Sequence, residues 1–292
     1  MNQSAHPTLL RQRGFTLVEA IAVMVITGIL AGIMVLFISK PVQQYVDASG
    51  RADMGDEADL ALRRMARELH GALPNSLRVS DITGGTMIEF VPVKTGGIYL
   101  DASDDAGSAP AFSTGGTQFT VVGSMTATPT TSDYIVVYNL GSGYTNADAY
   151  AASGNRAGIS GVGSTTAAPW GTGTTITMSS AFPVFNSVPV ASPSHRFQVV
   201  TAPVTFRCAP LTSGGPVVLT RHWGYGFNST QVDPNGSGSY ALLADNVSSC
   251  SFKYQSAANI QHGLVGLNVI LTRPNSNESV ALSQQVNVEN TP

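Results

Sequence analysis

The sequence has little charge and few cysteines. Only 11% of its 292 residues are charged, whereas an ordinary soluble domain has about 25%. Two cysteines are too few for a disulfide-dense scaffold or a zinc-ribbon protein. The net charge of −3 excludes a strongly basic nucleic-acid binder, so we expect no nucleic-acid partner. Low charge is typical of a membrane protein, a secreted β protein, or a chain that is both.

A long apolar run indicates a membrane segment. From Phe15 to Ile38 the only charged residue is Glu19. As a helix this run would reach roughly 36 Å, enough to cross a hydrocarbon core of about 30 Å. A signal peptide has a shorter apolar region and then a small-residue cleavage site, whereas Lys40 and Pro41 follow this run. A core helix rarely stays apolar on every face at this length, so we predict a membrane-spanning helix.

The flanking charges predict the orientation of this helix. Arg11 and Arg13 precede it, Lys40 follows it, and the segment from Asp47 to Asp59 is mostly acidic. The positive-inside rule therefore places the N-terminus in the cytoplasm and the residues after the helix beyond the membrane.

Glu19 and two glycines in the apolar run each have two interpretations. A carboxylate in lipid is costly, so Glu19 either extends to the headgroups or pairs with a cation from another chain. Gly28 and Gly32 form a G-x-x-x-G pair, a spacing that lets helices pack closely. Ordinary use of glycine in a membrane helix also explains this pair.

The residues around Glu19 favour a partner in another chain. The segment Arg11-Gln-Arg-Gly14-Phe15-Thr-Leu-Val-Glu19 resembles the processing site of type IV prepilins, where a basic leader ends in Gly and Glu is the fifth residue after the cut. The resemblance implies that a prepilin peptidase cleaves between Gly14 and Phe15 and methylates the new amine of Phe15. It also implies that Glu19 of an incoming subunit pairs with that amine on its neighbour. Many pilins have a proline inside the run, whereas the first one here is Pro41.

The same resemblance implies a fold, a location and partners. The fold would be the α+β type IV pilin fold, with a long N-terminal helix packed on an antiparallel β-sheet domain. The chain would be stored in the lipid of the bacterial inner membrane, with its C-terminal domain in the periplasm, and would then enter a pilus or pseudopilus. Its partners would be other major and minor pilins, the prepilin peptidase and the inner-membrane assembly platform. The expected parts are a leader (1–14), a transmembrane helix (15–40), an amphipathic half of that helix (41–73) and a globular domain (74–292) with a low-charge insertion (106–190).

The segment from Val42 to Leu73 predicts the second half of the long helix. Gly50 and Gly55 weaken its first part, and Gly71 ends it. Its many charges form either a solvated face or a subunit-docking surface. Its apolar stripe consists of Leu62, Met65, Ala66 and Leu69. Two ion pairs at i,i+4 are also expected, Asp59 with Arg63 and Arg64 with Glu68.

After Pro74 the pattern predicts antiparallel β-structure. Turn signals include Gly84-Gly85, Gly96-Gly97 and Ser213-Gly-Gly215. The stretch from Ala106 to Val190 is rich in small polar residues, and is either an elaborated loop region over the sheet or an exposed partner surface. The predicted strands are Thr86–Val91, Thr117–Val122, Tyr134–Tyr138, Thr174–Met178, Arg196–Thr201, Val204–Cys208, Val217–Arg221, Ser251–Tyr254, Leu264–Leu271 and Val280–Val288.

The C-terminal half carries a second resemblance. Val204-Thr-Phe-Arg-Cys208, Leu219-Thr-Arg-His-Trp-Gly-Tyr225 and Cys250-Ser-Phe-Lys-Tyr254 are similar to segments of the MSHA pilus biogenesis protein O family of minor pilin-like proteins. More distantly, the chain resembles the J-type pseudopilins of type II secretion. These motifs are structural and imply no enzymatic activity.

Few residues suggest site chemistry. Cys208 and Cys250 lie near predicted strand ends and would face an oxidising compartment, so we predict a disulfide between them. The histidines form no H-E-x-x-H motif, and we expect no catalytic residues, no resident metal and no cofactor. The loops at Asp101–Asp105 and Asp233–Ser237 have scattered oxygen ligands for Ca²⁺, although turn chemistry explains both.

The sequence is compatible with three functions. The first is a minor pilin-like structural subunit that takes part in pilus assembly or tip priming. The second is a minor pseudopilin of type II secretion, which the sequence separates poorly from the first. The third is a membrane-anchored periplasmic enzyme or receptor, which would need a coherent polar site that the sequence does not indicate.

Overall fold

The computed structural model describes residues 14–100, 116–144, 146–152, 154–167, 171–182, 184–185, 188–189, 191–256, 261–274, 276 and 278–292. These residues form one helix, α1 (Leu17–His70), and antiparallel strands. The predicted α+β class is confirmed. The strands are β1 (Arg78–Ile82), β2 (Gly85–Phe90), β3 (Val93–Tyr99), β4 (Gln118–Val122), β5 (Tyr134–Val136), β6 (Arg156–Ala167), β7 (Gly171–Met178), β8 (Val184–Phe185), β9 (Val188–Pro189), β10 (Arg196–Val200), β11 (Val204–Pro210), β12 (Val217–Trp223), β13 (Ser239–Ala244), β14 (Val247–Gln255), β15 (His262–Thr272) and β16 (Ser279–Glu289).

The chain divides into two compact units, residues 1–52 and 53–292. The described part of the first unit is the start of α1, and none of its side chains is buried. This part of α1 is long and apolar enough to cross a membrane. The helix continues through Pro41, whose missing N–H removes one internal hydrogen bond.

In the second unit, one face of α1 lies in the hydrophobic core. The predicted apolar stripe is buried, and Met54, Ala58 and Ala61 extend it toward the N-terminus. The predicted ion pairs also form, with 2.7 Å between Arg63 and Asp59 and 3.3 Å between Arg64 and Glu68. The helix ends where Gly71 N–H donates to the Glu68 carbonyl.

Two sheets complete this core. One has the strand order β1-β2-β11-β12-β13 and the other has the order β14-β15-β16. Cys208 on β11 and Cys250 on β14 form a disulfide with their Cα atoms 6.3 Å apart, so the bond joins the two sheets. The apolar faces of both sheets pack with α1, and their buried residues include Ile88, Phe90, Phe206, Leu219, Val265, Leu267 and Val286.

The low-charge stretch departs from the loop expectation. Its strands β4 to β7 belong to a closed barrel of order β10-β3-β4-β7-β6-β5, and β8 pairs with β9 in a separate two-stranded sheet. The barrel has its own core, which includes Phe119, Ile135, Ile176 and Phe197. Strands rich in Gly, Ser and Thr are stable here because closure pairs every edge and encloses the few apolar side chains.

The interpretation of Gly96-Gly97 as a turn is wrong, because both glycines lie within β3. A Cβ on Gly96 would meet the Phe197 carbonyl oxygen at 2.9 Å, and one on Gly97 would meet the Phe197 ring at 3.0 Å. Glycine is therefore required here for close approach between β3 and β10 rather than for a turn.

Candidate functional site

The start of α1 is defined by a capping hydroxyl. Thr16 precedes the helix, its carbonyl accepts the Ala20 N–H at 3.1 Å, and its Oγ1 accepts the Glu19 N–H at 3.3 Å. Thr16 is thus the N-cap residue, and Glu19 is the third residue of the helix. The order Thr-x-x-Glu is that of a capping box.

The predicted scissile bond lies outside the helix. Gly14 and Phe15 have no regular secondary structure, and Phe15 is 79% exposed. A Cβ on Gly14 would meet none of the described residues within 4 Å. The bond between these residues is therefore in accessible, irregular backbone, the kind of segment that a protease can enter. Residues 1–13 of the predicted leader lie outside the described residues.

Glu19 is exposed in the first turn of α1. The partial positive charge at a helix N-terminus favours a carboxylate there by about 0.3–1 kcal/mol. That is small beside the cost of an ion in lipid. Among the described residues, no Lys, Arg or His forms an ion pair with Glu19. Its charge is thus available to a cation from another molecule.

Gly28 and Gly32 lie on another face of the helix. A Cβ added to either would meet nothing within 4 Å, so nothing in the described chain packs against them. Nine residues separate Glu19 from Gly28, which places the glycine about half a turn away around the helix. The apolar part of α1 therefore offers two separate contact faces, one with a carboxylate and one with small residues.

The globular unit contains a buried ion pair. Glu89 on β2 is fully buried, and its carboxylate accepts from Arg78 at 2.5 Å and from the Tyr225 hydroxyl at 2.9 Å. Burial raises the pKa of Glu89, which Arg78 and Tyr225 only partly offset. Arg78 also donates to the carbonyls of Asn228 and Ser229. The cluster therefore fastens the loop after β12 to the outer face of the sheet.

A second charged cluster fastens the same loop further along. Arg207 donates to both carboxylate oxygens of Asp233, at 2.7 and 3.1 Å. His222 is buried nearby, where Nε2 is 3.0 Å from the Thr220 hydroxyl and the ring stacks on Tyr240. Burial, and then the charge of Arg207, lowers the pKa of His222 to about 4.

We expect His222 to make the protein less stable in acid. The pKa of His222 is about 4 in the folded protein and that of an ordinary imidazole is about 6.5, so the unfolded state takes up the proton first as pH falls. The free energy of unfolding should fall by about 3 kcal/mol between pH 6.5 and pH 4. The measurement is denaturant unfolding of wild type and His222→Phe across this range. Phe keeps the stacking on Tyr240 and does not titrate.

The difference between the two proteins isolates the imidazole, because Glu89 titrates in both. The raised pKa of Glu89 acts in the opposite sense, because it lowers stability as pH rises above 4.5, the ordinary pKa of a glutamate side chain. Equal pH slopes for wild type and His222→Phe would contradict the prediction.

Among the residues that the structure describes, no set of catalytic groups comes together. Within the described residues, no three His, Cys, Asp or Glu side chains are close enough to hold a metal ion. At the predicted calcium loop, Arg207 engages both oxygens of Asp233. The other predicted loop, Asp101–Asp105, lies outside the described residues. The buried charges can therefore clamp and position the loop, and the exposed groups of α1 are left for contacts with other molecules.

Sequence reasoning missed two features of this arrangement. The Thr16 cap has a recognisable Thr-x-x-Glu signal, which the prepilin pattern around it obscured. The ion pair between Arg78 and Glu89 has no signal in the sequence, because it depends on the pairing of β1 with β2.

Comparison with known proteins gives one match, at the N-terminal segment. The family model described as the prokaryotic N-terminal methylation motif matches residues 9–35. The match includes Gly14, Phe15, Glu19, Gly28 and Gly32. No curated protein and no solved structure matches the chain. The motif indicates a type IV pilin-like or pseudopilin-like precursor, and proteins with it are structural subunits rather than enzymes.

Proposed function

We propose that the chain is a minor pilin-like structural subunit of an MSHA-type type IV pilus. A prepilin peptidase removes residues 1–14 and methylates the amine of Phe15. Before assembly the apolar half of α1 spans the inner membrane, with its N-terminus in the cytoplasm and the globular unit in the periplasm. The subunit then joins other pilins at the assembly platform and helps to build or prime the filament tip.

The observation that carries this proposal is the methylation motif at residues 9–35. The geometry of the same segment supports it. The bond between Gly14 and Phe15 is exposed and outside the helix, and Thr16 starts the helix immediately after it. Cleavage would therefore place a new positive amine one helical turn from Glu19 without unfolding any of α1.

The two faces of α1 support contact with more than one neighbour. Glu19 accepts the Phe15 amine of one subunit, and the opposite face with Gly28 and Gly32 allows another helix to approach closely. A helix in a filament of like subunits needs contacts on several sides, whereas a simple membrane anchor needs none.

The first test is the intact mass of the chain extracted from membranes. We expect loss of residues 1–14 and gain of one methyl group. Gly14→Val should abolish both changes, because the peptidase site is expected to need glycine. A Cβ at position 14 would meet nothing within 4 Å in the described part of the chain, so we expect the helix start to be unaffected. Ala5→Val, a change of similar size within the proposed leader, is the matched control and should be processed normally.

Normal processing of Gly14→Val would rule out recognition of this bond. An unprocessed wild-type chain in cells that process other prepilins would overturn the proposal and favour a membrane-anchored enzyme or receptor. The alternative of a type II secretion pseudopilin predicts the same processing. Cells that lack the protein distinguish the two alternatives. Loss of surface pili would support the pilus subunit, and loss of protein secretion would support the pseudopilin.

A further inference from the structure

The edge strand β16 lacks the features that usually keep a sheet edge from pairing. Natural proteins protect such edges with Lys, Pro, short strands or β-bulges. β16 has 11 residues and is the longest described edge strand of the two sheets that pack with α1. It contains no Lys, Arg or Pro, its only charge is Glu289 at its end, and its register with β15 has no bulge. The edge is therefore long, regular and almost uncharged.

Alternate residues of β16 direct their backbone groups away from β15. Hydrogen-bonded and non-bonded positions alternate in an antiparallel pair. Just beyond the paired strands, the Arg273 N–H donates to the Glu278 carbonyl and the Asn290 N–H donates to the Gln261 carbonyl. In the same register, the even-numbered residues of β16 therefore bond to β15. The odd-numbered residues, all exposed, are Ser279, Ala281, Ser283, Gln285, Asn287 and Glu289.

These six residues present an open row of N–H and C=O groups. Within the described residues, no backbone hydrogen bond joins β16 to any element other than β15. The row lies on the exposed side of the sheet edge, so another backbone can reach it. Such a row is the template on which an extended segment adds to a sheet.

A cleft beside the outer edge leaves room for another strand. On the inner face of β16, Val280 and Leu282 pack on the core but are only half-buried, whereas Val286 and Val288 are buried. Apolar side chains of an added strand would cover the two half-buried residues. The cleft lies between α1 and β16 and has a volume of about 400 Å³. Its lining residues are Asp59, Leu62, Arg63, Leu282, Ser283 and Gln284.

We propose that this edge binds an extended segment of another protein, which joins the sheet as a strand antiparallel to β16. The open row of backbone groups requires a partner that is itself extended. The lack of charge over residues 279–288 favours a neutral segment. Val280 and Leu282 favour apolar side chains at alternate positions of that segment. The site therefore fits a neutral strand with one apolar face.

A second copy of this chain fits the edge less well. Two β16 strands pair antiparallel only about a twofold axis perpendicular to the sheet. The helices that pack on the two sheets would then run in opposite directions. Copies anchored in one membrane run in the same direction, so the choice of a different protein rests on the proposed function.

The sequence of β16 supplies a probe with the required chemistry. A synthetic peptide of this sequence can lie antiparallel to β16 in a register that pairs all six outward residues. The same register places Val280 opposite Val288 and Leu282 opposite Val286, which are favourable cross-strand pairs. The measurement is the fluorescence anisotropy of the labelled peptide with the full-length chain in detergent. We expect saturable binding.

Selective N-methylation of the peptide tests which backbone groups it uses. Methylation at three odd-numbered residues, beginning at Ala281, removes donors that face the chain and should weaken binding about tenfold or more. The isomer methylated at three even-numbered residues, beginning at Leu282, is the matched control and should bind normally. The opposite preference would show that the peptide displaces β16 from β15. That result, or equal binding of the two isomers, would overturn the proposal.

A substitution in the chain tests the same edge. Ser283→Pro removes an outward N–H, a change that an edge strand tolerates, and should weaken peptide binding about tenfold or more. Ser283→Ala keeps the N–H and should bind as the wild type does. Unchanged binding by Ser283→Pro, or equal loss in both variants, would show that the backbone edge is not the site. Denaturant unfolding checks that both variants fold, and the methylated peptides test the wild-type chain independently.

Two further measurements separate the alternatives. A wild-type dimer in sedimentation that Ser283→Pro dissociates would show that a second copy occupies the edge, and would overturn the proposal. The intact mass of the same samples reports removal of residues 1–14. Processed chains that do not bind the peptide would refute only the strand addition. Unprocessed chains that bind it would refute only the pilin-like function.

Discussion

Glu19→Gln should abolish recovery of the mature chain with other pilins while leaving removal of residues 1–14 intact. In the proposed filament, the variant would leave the methylated amine of the neighbouring subunit's Phe15 without its counterion in an apolar environment. Removing one partner of a buried ion pair costs about 3–5 kcal/mol, so association should weaken by about a hundredfold or more. The measurement is the amount of chain that co-purifies with the major pilin in sheared filaments and in membrane assemblies.

The design separates the charge of Glu19 from its place in the helix. Glutamine can still serve at the third position of a capping box, so Glu19→Gln changes the charge and little else. Thr16→Ala is the matched control, because it removes the capping hydroxyl, at a cost of about 1 kcal/mol, and keeps the carboxylate. We expect Thr16→Ala to assemble as wild type does. Equal loss in both variants would indicate that helix capping rather than ion pairing governs assembly.

Removal of the disulfide should give the largest loss of stability. Cys208 and Cys250 are 42 residues apart in sequence, and a closed loop of this size restricts the unfolded chain by about 4 kcal/mol in the chain-entropy description. We expect the double variant Cys208→Ala, Cys250→Ala to lose about that much free energy of unfolding. Alanine is preferred over serine at position 208, because Cys208 lies within the apolar core. Denaturant unfolding of the detergent-solubilised chain measures the difference.

Reduction supplies the control for this prediction. A thiol reductant should destabilise the wild-type chain by the same amount and leave the double variant unchanged. An unaltered thiol count and gel mobility after oxidation and reduction of the wild type would show that the bond does not form. The wild type could lose about 4 kcal/mol of unfolding free energy on reduction while the double variant loses none. That result would contradict the loop-entropy account and would indicate that the core repacks around the two alanines.

The parts that were predictable from sequence are those governed by local pattern. The stripe of Leu62, Met65, Ala66 and Leu69 follows the helical period and is buried as predicted. Strands such as β11 and β15 alternate in hydrophobicity, and each of the predicted strands is present. The methylation motif is equally local, since a peptidase reads neighbouring residues of one segment.

The parts that were missed depend on partners distant in sequence. β13 and β6 were not predicted, because their residues become strands only when β12, β5 and β7 supply hydrogen-bond partners. Gly97 was predicted to lie in a turn, but the structure requires glycine there because the ring of Phe197, a hundred residues later, lies beside it. Polar residues such as Glu89 carry no sign in the sequence that they will be buried.

The sequence by itself determined the apolar helix, its single carboxylate and the methylation motif, because each depends only on consecutive or helically spaced residues. Only the tertiary structure decided that the low-charge stretch closes into a barrel, since closure requires β10 to pair with both β3 and β5. It likewise decided which charges stay outside. Packing buries one side of α1 and pairs Glu68 with Arg221, and this leaves Asp56, Leu60 and Arg67 exposed.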